Sequence, residues 1–425
     1  MKTIIPKNKY QISKKDINHH ALQVIDKLDK AGYEVYLVGG GVRDLLLDRH
    51  PKDFDIVTNA LPGEIKKLFN NCRLIGRRFR LAHIFFGNHI IEVATYRAGH
   101  EGAHEKHAHT NAAGMVLRDN VYGNMEQDAT RRDFTVNALF YFPKDNDLVD
   151  FFDGFKDLKN KKLKIIGDAE TRYREDPVRM IRAARIGGKL KLKLTKETEG
   201  PISKLKHLLY TIPISRLHDE VIKLFHTGYS DTIFPMVLRL GLFETLFPMT
   251  NQCLETDHRK TIKILETLFA NTDERIHAQK PVTPIFLFST LLWIPFEKQF
   301  LKLKQEKMPS MQAFDFAYNK IIAKQREITA IPKHMSYAIR DIWHLQHRLE
   351  EHRKRYIYSI LNHSKFRAAY DLLLLRAKVD KKLNEIATWW TEIQEVDVQK
   401  RKQMVLMLPE DKVFRRHIKK RHTRK

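Results

Sequence analysis

Cysteine is nearly absent. Cys72 and Cys253 are the only two in 425 residues, too few and too distant for a disulfide framework or a cysteine metal site, which fits a reducing cytoplasm. Long apolar runs are missing as well: although 43% of the residues are hydrophobic, the mean hydropathy is −0.45, and no stretch approaches the ~20 apolar residues of a membrane span. The expectation is a soluble protein. Met1 to Tyr10 carries lysines but no apolar core, so no secretory signal is expected. Acidic charge is in short supply, 51 Asp plus Glu against 76 Lys plus Arg, for a net charge of +25. Clustered cations release counterions when they cover phosphates, so the balance points to a polyanionic partner, nucleic acid ahead of an acidic membrane surface. The length exceeds one ordinary domain and suits a catalytic unit with one or two accessory units.

What is present begins with Tyr36-Leu-Val-Gly-Gly-Gly-Val-Arg-Asp44 and, shortly after, Asp53-Phe-Asp55. Val35 to Val38 reads as a buried strand, Gly39 to Gly41 as a turn, Val42 to Leu47 as a helix and Phe54 to Val57 as a second strand. A glycine turn entering a helix offers backbone N–H groups to phosphates. Strand alternation puts Asp53 and Asp55 on one face, where paired carboxylates can hold Mg²⁺ against a triphosphate and an attacking hydroxyl. Asp-x-Asp alone is a weak signal, since two acids are common on any surface strand. Behind Gly-Gly-x-Val-Arg-Asp, in a strand–turn–helix–strand order, it becomes a strong one.

The flanking chain reads as follows. Residues 1–16 form a loose basic leader. Ser13-Lys-Lys-Asp is a capping-box-like start to a short helix carrying Val24, Ile25 and Leu28. After Pro62 a helix carries Ile65, Leu68 and Phe69. His83 to Phe86 and His89 to Thr95 flank the hairpin signal Gly87-Asn88. Glu92 in that hairpin would approach the metal site if its strand lies beside Asp55, although an acid in an apolar strand more often faces solvent. Ala98 to Gly114 has no apolar period and holds His100, His104, His107 and His109, which read as solvated loop residues rather than a metal cluster. Thr130-Arg-Arg-Asp-Phe-Thr-Val-Asn-Ala138 offers two arginines suited to a triphosphate clamp or to a surface ion pair. In Arg174-Glu-Asp-Pro-Val-Arg-Met-Ile-Arg182, Asp176 suits an N-cap ahead of Pro177. Arg179 and Arg182 share its helix face and together with it could read the edge of a base.

Beyond Asp168 glycine thins out and amphipathic segments take over, so the expected fold is an α+β head, a small mixed sheet with helices, followed by an all-α neck and body. The boundaries fall at 17–168 for the head, 169–250 for the neck, 251–408 for the body and 409–425 for a basic tail suited to phosphate backbones. The Leu372 to Leu375 run and the Trp389-Trp390 pair read as packing residues.

Taken together, Gly39-Gly-Gly-Val-Arg-Asp44, Asp53-Phe-Asp55, Arg131-Arg-Asp-Phe-Thr-Val-Asn137 and Glu175-Asp-Pro-Val-Arg179, in that order, resemble the class II tRNA nucleotidyltransferase and bacterial poly(A) polymerase family of the DNA polymerase β superfamily. The resemblance covers residues 17–250 most strongly. It implies that Asp53 and Asp55 bind the catalytic Mg²⁺ ions and that Asp133 completes the active site. It further implies that Gly39, Gly40, Arg43 and Arg132 contact the nucleotide, and that Asp176, Arg179 and Arg182 select the base without a template. Several stretches look like the poly(A) polymerase branch: Cys72 to His83, Leu117 to Gly123, Ile339-Arg-Asp-Ile-Trp343, Lys365 to Asp371 and the basic tail. The implied activity is transfer of AMP from ATP to single-stranded RNA 3′ ends, by a cytoplasmic monomer without a membrane span, with RNA-decay proteins as candidate partners. CCA addition to tRNA is the alternative within the family. A catalytically dead RNA-binding protein is the alternative outside it.

Overall fold

The computed structural model describes residues 2–76, 80–98, 108–110, 116–119 and 121–409. His100, His104 and His107 and the basic residues beyond Pro409 lie outside them. The chain divides into two compact units, Met1–Pro213 with Thr232–Thr245, and Ile214–Asp231 with Leu246–Lys425.

In the first unit the elements run β1 (Thr3–Ile5), α1 (His19–Lys30), β2 (Val35–Val38), α2 (Gly40–Leu46), β3 (Asp55–Thr58), α3 (Pro62–Leu68), β4 (Cys72–Ile75), β5 (Leu81–Phe86) and β6 (His89–Thr95). Then follow β7 (Ala108–Thr110), β8 (Val116–Asp119), α4 (Met125–Thr130), β9 (Leu139–Phe142), β10 (Asp147–Asp150), α5 (Gly154–Lys159), α6 (Ala169–Glu175) and α7 (Val178–Leu190). Eight strands form one mixed sheet in the order β1-β10-β9-β2-β3-β6-β5-β4, and β7 pairs with β8 apart from it. β3 lies near the middle, antiparallel to β2 with Val38 opposite Asp55, and parallel to β6 with Asp55 opposite Glu92. Strand alternation sends Leu37, Ile56 and Val93 into one apolar cluster, closed by Ala21, Val24, Ile25 and Leu28 of α1. Val38, Val57, Phe140 and Val149 enter a second cluster on the other face. The expected α+β head is therefore present.

Local chemistry sets several boundaries differently from the sequence reading. The leader is not loose: β1 pairs with β10, and Tyr10 donates its hydroxyl proton to the Asn146 carbonyl at 2.6 Å. Ser13 caps only a 3-10 turn at Lys14–Asp16. α1 starts later, at His19, capped by Asn18, whose side chain accepts the His20 N–H at 2.8 Å. β3 begins at Asp55, so Asp53 stands in the loop just before it.

The second unit is helical, as composition indicated. Its helices include Pro248–Thr256, His258–His277, Trp293–Gln305, Ser310–Arg326, Lys333–Glu351, Phe366–Ala377 and Val398–Leu406. Pro248 and Pro295 sit in first turns, where a missing N–H breaks no helical bond. Trp343 is fully buried, stacked on Phe296 at 4.3 Å, with its indole N–H on the Ser289 carbonyl. Trp390 is also buried and donates to the Leu349 carbonyl. Arg376 crosses this interior to Glu297 at 3.1 Å and Glu350 at 2.6 Å, over the face of Trp293. Leu372, Leu373, Leu375 and Trp390 are thus packing residues.

Burial pushes the imidazoles of His226 and His352 down to about 4, so both are held neutral. Their unfolded forms take up protons near pH 6.5, and the stability they confer is full above that pH and drains away as pH falls toward 4. Thermal melts should show the second unit losing several degrees between pH 7 and pH 5. The loss should shrink in the His226→Gln/His352→Gln variant.

Candidate active site

The site forms where β2 ends and α2 begins. Gly39 has φ +80°, a left-handed conformation natural to glycine, and a Cβ there would stand 3.4 Å from Asp55 Oδ2 and 3.7 Å from Arg132 Nη1. Gly41 lies against the Asp53 carbonyl, with 3.0 Å to an added Cβ. Two requirements meet at this turn: the chain must reverse, and nothing may stand between it and the carboxylates. The N–H groups of the first turn of α2, which starts at Gly40, open toward the same space.

Asp53 and Asp55 flank buried Phe54, and both remain open to solvent. Desolvation by the surrounding protein pushes the Asp55 carboxyl above the usual range, the Arg132 charge pulls it back, and Glu92 and Asp53 push it up further. Three acids thus share one neighbourhood. Glu92 is held at Asp55 by strand register and has His83 Nε2 at 3.5 Å from its own Oε1. An all-oxygen donor set of this kind suits Mg²⁺ and not a soft metal. Among the described residues no group of three or more such side chains closes a metal cage by itself.

The other expected residues form a bracing network behind the turn. Arg43 is buried. It donates from Nε and Nη2 to Asp44 Oδ1 at 2.9 and 2.6 Å, and from Nη1 to Asn137 Oδ1 at 2.6 Å. Asn137 donates in turn to Asp133 Oδ1 at 2.9 Å. The other oxygen of Asp133 receives Arg182 Nε at 2.7 Å and Nη2 at 2.5 Å. Burial opposes ionisation of Asp133, but the Arg182 charge, Asn137 and the Phe134 N–H together hold it well below the carboxylate range. Asp133 is therefore a fixed anion whose oxygens are taken up by these partners.

Arg131 and Arg132 are neither exposed nor paired with Asp133. Both bond to Asp128, a fully buried acid on α4 that takes Arg131 Nε at 3.1 Å and Arg132 Nη2 at 2.8 Å. Arg172 on α6 donates from Nη2 to the Arg131 and Arg132 carbonyls at 2.7 and 2.6 Å. The sequence reading overlooked Asp128 and Arg172. The signal for Asp128 was its spacing of three and four residues from the arginine pair on a helix.

Within the third motif, Asp176 accepts the Val178 N–H at 3.3 Å, as a cap does, although α7 itself starts after Pro177. Arg179 bonds Glu175 and the Arg172 carbonyl, each at 2.8 Å. On α7, Arg182 and Lys189 are two turns apart and share a face. Arg182 grips Asp133, and Lys189 lies 3.9 Å from Asp44. One helix face thus ties the third motif to the other two.

A glycine turn facing an Asp-x-Asp, backed by Arg-Arg-Asp, defines a nucleotidyltransferase head, and residues 35–164 match the family model described as "Poly A polymerase head domain". Residues 191–254 match "Probable RNA and SrmB- binding site of polymerase A", and residues 306–425 match "Polymerase A arginine-rich C-terminus". The chain belongs to the poly(A) polymerase family. It is 46% identical to poly(A) polymerase I of Escherichia coli O6:H1 over 92% of this chain and 86% of that protein. It is 44% identical to poly(A) polymerase I of Haemophilus influenzae over 95% and 90%. The CCA-adding enzyme of Lactobacillus helveticus is 37% identical, over 54% of this chain and 55% of that protein. Among solved structures, a CCA-adding enzyme in complex with ATP superposes with a TM-score of 0.60 at 18% identity, over 94% of this chain and 89% of that one. That likeness is one of fold.

The network carries a measurable energy. Arg182→Ala leaves the Asp133 anion short of its charge partner. The expected cost is about 2 kcal/mol, below the ~3–5 kcal/mol of a fully buried pair because Arg182 is partly solvated. Adding Asp133→Asn should recover part of that loss in a double-mutant cycle read by urea unfolding, whereas simple additivity would mean the two side chains are not coupled.

Proposed function

We propose that the protein adds AMP from ATP to the 3′ ends of RNA without a template and releases pyrophosphate. The observation that carries this reading is the extent of the kinship. Likeness to the poly(A) polymerases runs through head and helical body alike, whereas likeness to the CCA-adding relative covers only 54% of the chain.

In this reading Asp53 and Asp55 hold Mg²⁺. The ions, when bound, lower the pKa of the RNA 3′-hydroxyl and neutralise charge that builds on the departing pyrophosphate. The chain's own residues do the rest. Gly39 and Gly40 let the triphosphate approach the first N–H groups of α2. Arg132, anchored on Asp128, supplies a positive charge beside Gly39. Arg43, Asn137 and Asp133 fix the turn from behind, so Asp133 and Arg43 serve as positioning residues in the arrangement described. Asp176, Arg179 and Arg182 choose the base, presented on elements that Arg172 and Asp133 lock to the head. The reading assigns 17–168 to catalysis, 169–250 to base selection, 251–408 and the basic tail to RNA, and a cytoplasmic monomer to the working form. Handing tailed RNA to decay proteins completes it.

The decisive assay offers an unstructured RNA and each NTP in turn. Long tracts with ATP alone are expected, and extension of a shortened tRNA by a brief C and A sequence would favour CCA addition. Asp53→Ala should abolish AMP addition by at least a hundredfold while leaving RNA affinity in place. Continued polymerisation by that variant would remove Asp53 from the metal site.

A second measurement addresses the tail. Truncation after Pro409 deletes a strongly basic run, so RNA affinity and the steepness of its salt dependence should both fall. An unchanged salt slope would count against the tail as an RNA contact.

A further inference from the structure

A cavity of about 500 Å³ opens in the second unit between the helices Pro248–Thr256, Trp293–Gln305 and Ser310–Arg326. Lys298 and Lys302 line it from one helix and Lys320 and Lys324 from another, over a floor that includes Met249, Pro295 and Ile321. No carboxylate is among the lining residues. All four lysines are exposed, and among the described residues none of them is paired with an acid. Two are held in place by neutral acceptors: Lys298 Nζ donates to Thr256 Oγ1 and Lys320 Nζ to Gln299 Oε1, both at 2.9 Å.

Four like charges around one concavity repel one another, whereas the buried cation of the same unit, Arg376, is compensated by Glu297 and Glu350. A polyanionic ligand would supply the compensating charge here. The size falls within the ~300–1,000 Å³ of small-ligand pockets and admits one nucleotide unit. Apolar surface continues beyond it. Leu301, on the rim, is 51% exposed, and Phe316, one turn before Lys320 on the same helix, is 53% exposed. Cations that track a phosphate backbone beside an exposed ring on which a base can stack are the two elements of single-strand binding.

We propose that this groove is a binding site for single-stranded RNA, separate from the head, in which Lys298, Lys302, Lys320 and Lys324 contact successive phosphates and Phe316 stacks a base. The proposal deepens the polymerase reading and rests on it for the choice of RNA over a free nucleotide.

The test uses the full chain and a 5′-labelled A20 oligonucleotide, with affinity read by fluorescence anisotropy between 50 and 200 mM KCl. Side chains of Lys302 and Lys324 take no part in the bonding of the described fold, so K302Q/K324Q reports on the ligand. Affinity should drop roughly tenfold, and the slope of log K against log salt should flatten by ~1.4, at ~0.7 per lost phosphate contact on a single strand. K298Q/K320Q should do the same, and F316A should weaken binding without altering the slope. Lysine acetylation mapped by mass spectrometry should show the four residues protected by A20. Unchanged affinity and slope in both lysine pairs would overturn the proposal, as would protection by ATP but not by A20. The two readings also separate. AMP addition by the parent chain with no slope change in the variants sinks the groove alone. Slope changes in a chain that adds no AMP sink the polymerase reading alone.

Discussion

The arrangement of the site depends on one partly buried chain of charges and hydrogen bonds, Asp44 to Arg43 to Asn137 to Asp133 to Arg182. Its members come from α2, from the segment between α4 and β9, and from α7. Hydrophobic packing orders the sheet but has no directional preference and would tolerate small slips. Guanidinium and carboxylate groups do not: each bond fixes distance and angle, and an unsatisfied partner in the interior is costly. The network therefore converts three remote stretches of sequence into one rigid frame around the glycine turn. Lys189, two turns beyond Arg182, adds a second attachment of the same helix to the same turn.

The network separates exposed groups at the turn from groups that hold the turn still. Asp53 and Asp55 remain open to solvent. Arg43, Asn137, Asp128 and Asp133 are consumed by the protein itself. Two arginines side by side in the sequence suggest a clamp in waiting, yet both rest on Asp128, and Arg132 reaches the turn only because Asp128 holds it there. Preorganisation of this kind means that little is left to rearrange when a nucleotide arrives.

Much of this was legible in the sequence, and the limits have physical causes. The strand–turn–helix–strand order was readable because the period of the apolar residues changes from two to 3.6 around a glycine triplet. Asp53 and Asp55 were singled out for the same reason, although the strand starts one residue later than Phe54. Glu92 was seen as a possible neighbour, but only the parallel pairing of β3 with β6, which no local pattern encodes, sets it opposite Asp55. The roles of Asp128 and Arg172 stayed hidden because each works across a tertiary contact, Arg172 some 40 residues from the carbonyls it holds. The N-terminal strand escaped notice because three residues carry no period at all. It forms because the edge of β10 offers unpaired backbone groups.

The threading of the chain has a consequence for synthesis. Residues 232–245 return to the first unit after 214–231 have already joined the second. The returning segment is a structural wall of α7: Thr232 donates to the Gly188 carbonyl at 3.1 Å, and Ile233 lies so close that a Cβ on Gly188 would meet it at 2.7 Å. A nascent chain that has emerged only to residue 213 thus holds Asp53, Asp55 and the whole of α7, but not the surface against which that helix is seated. The seat of α7 is complete only when residue 245 has left the ribosome, well after Arg182 has been made.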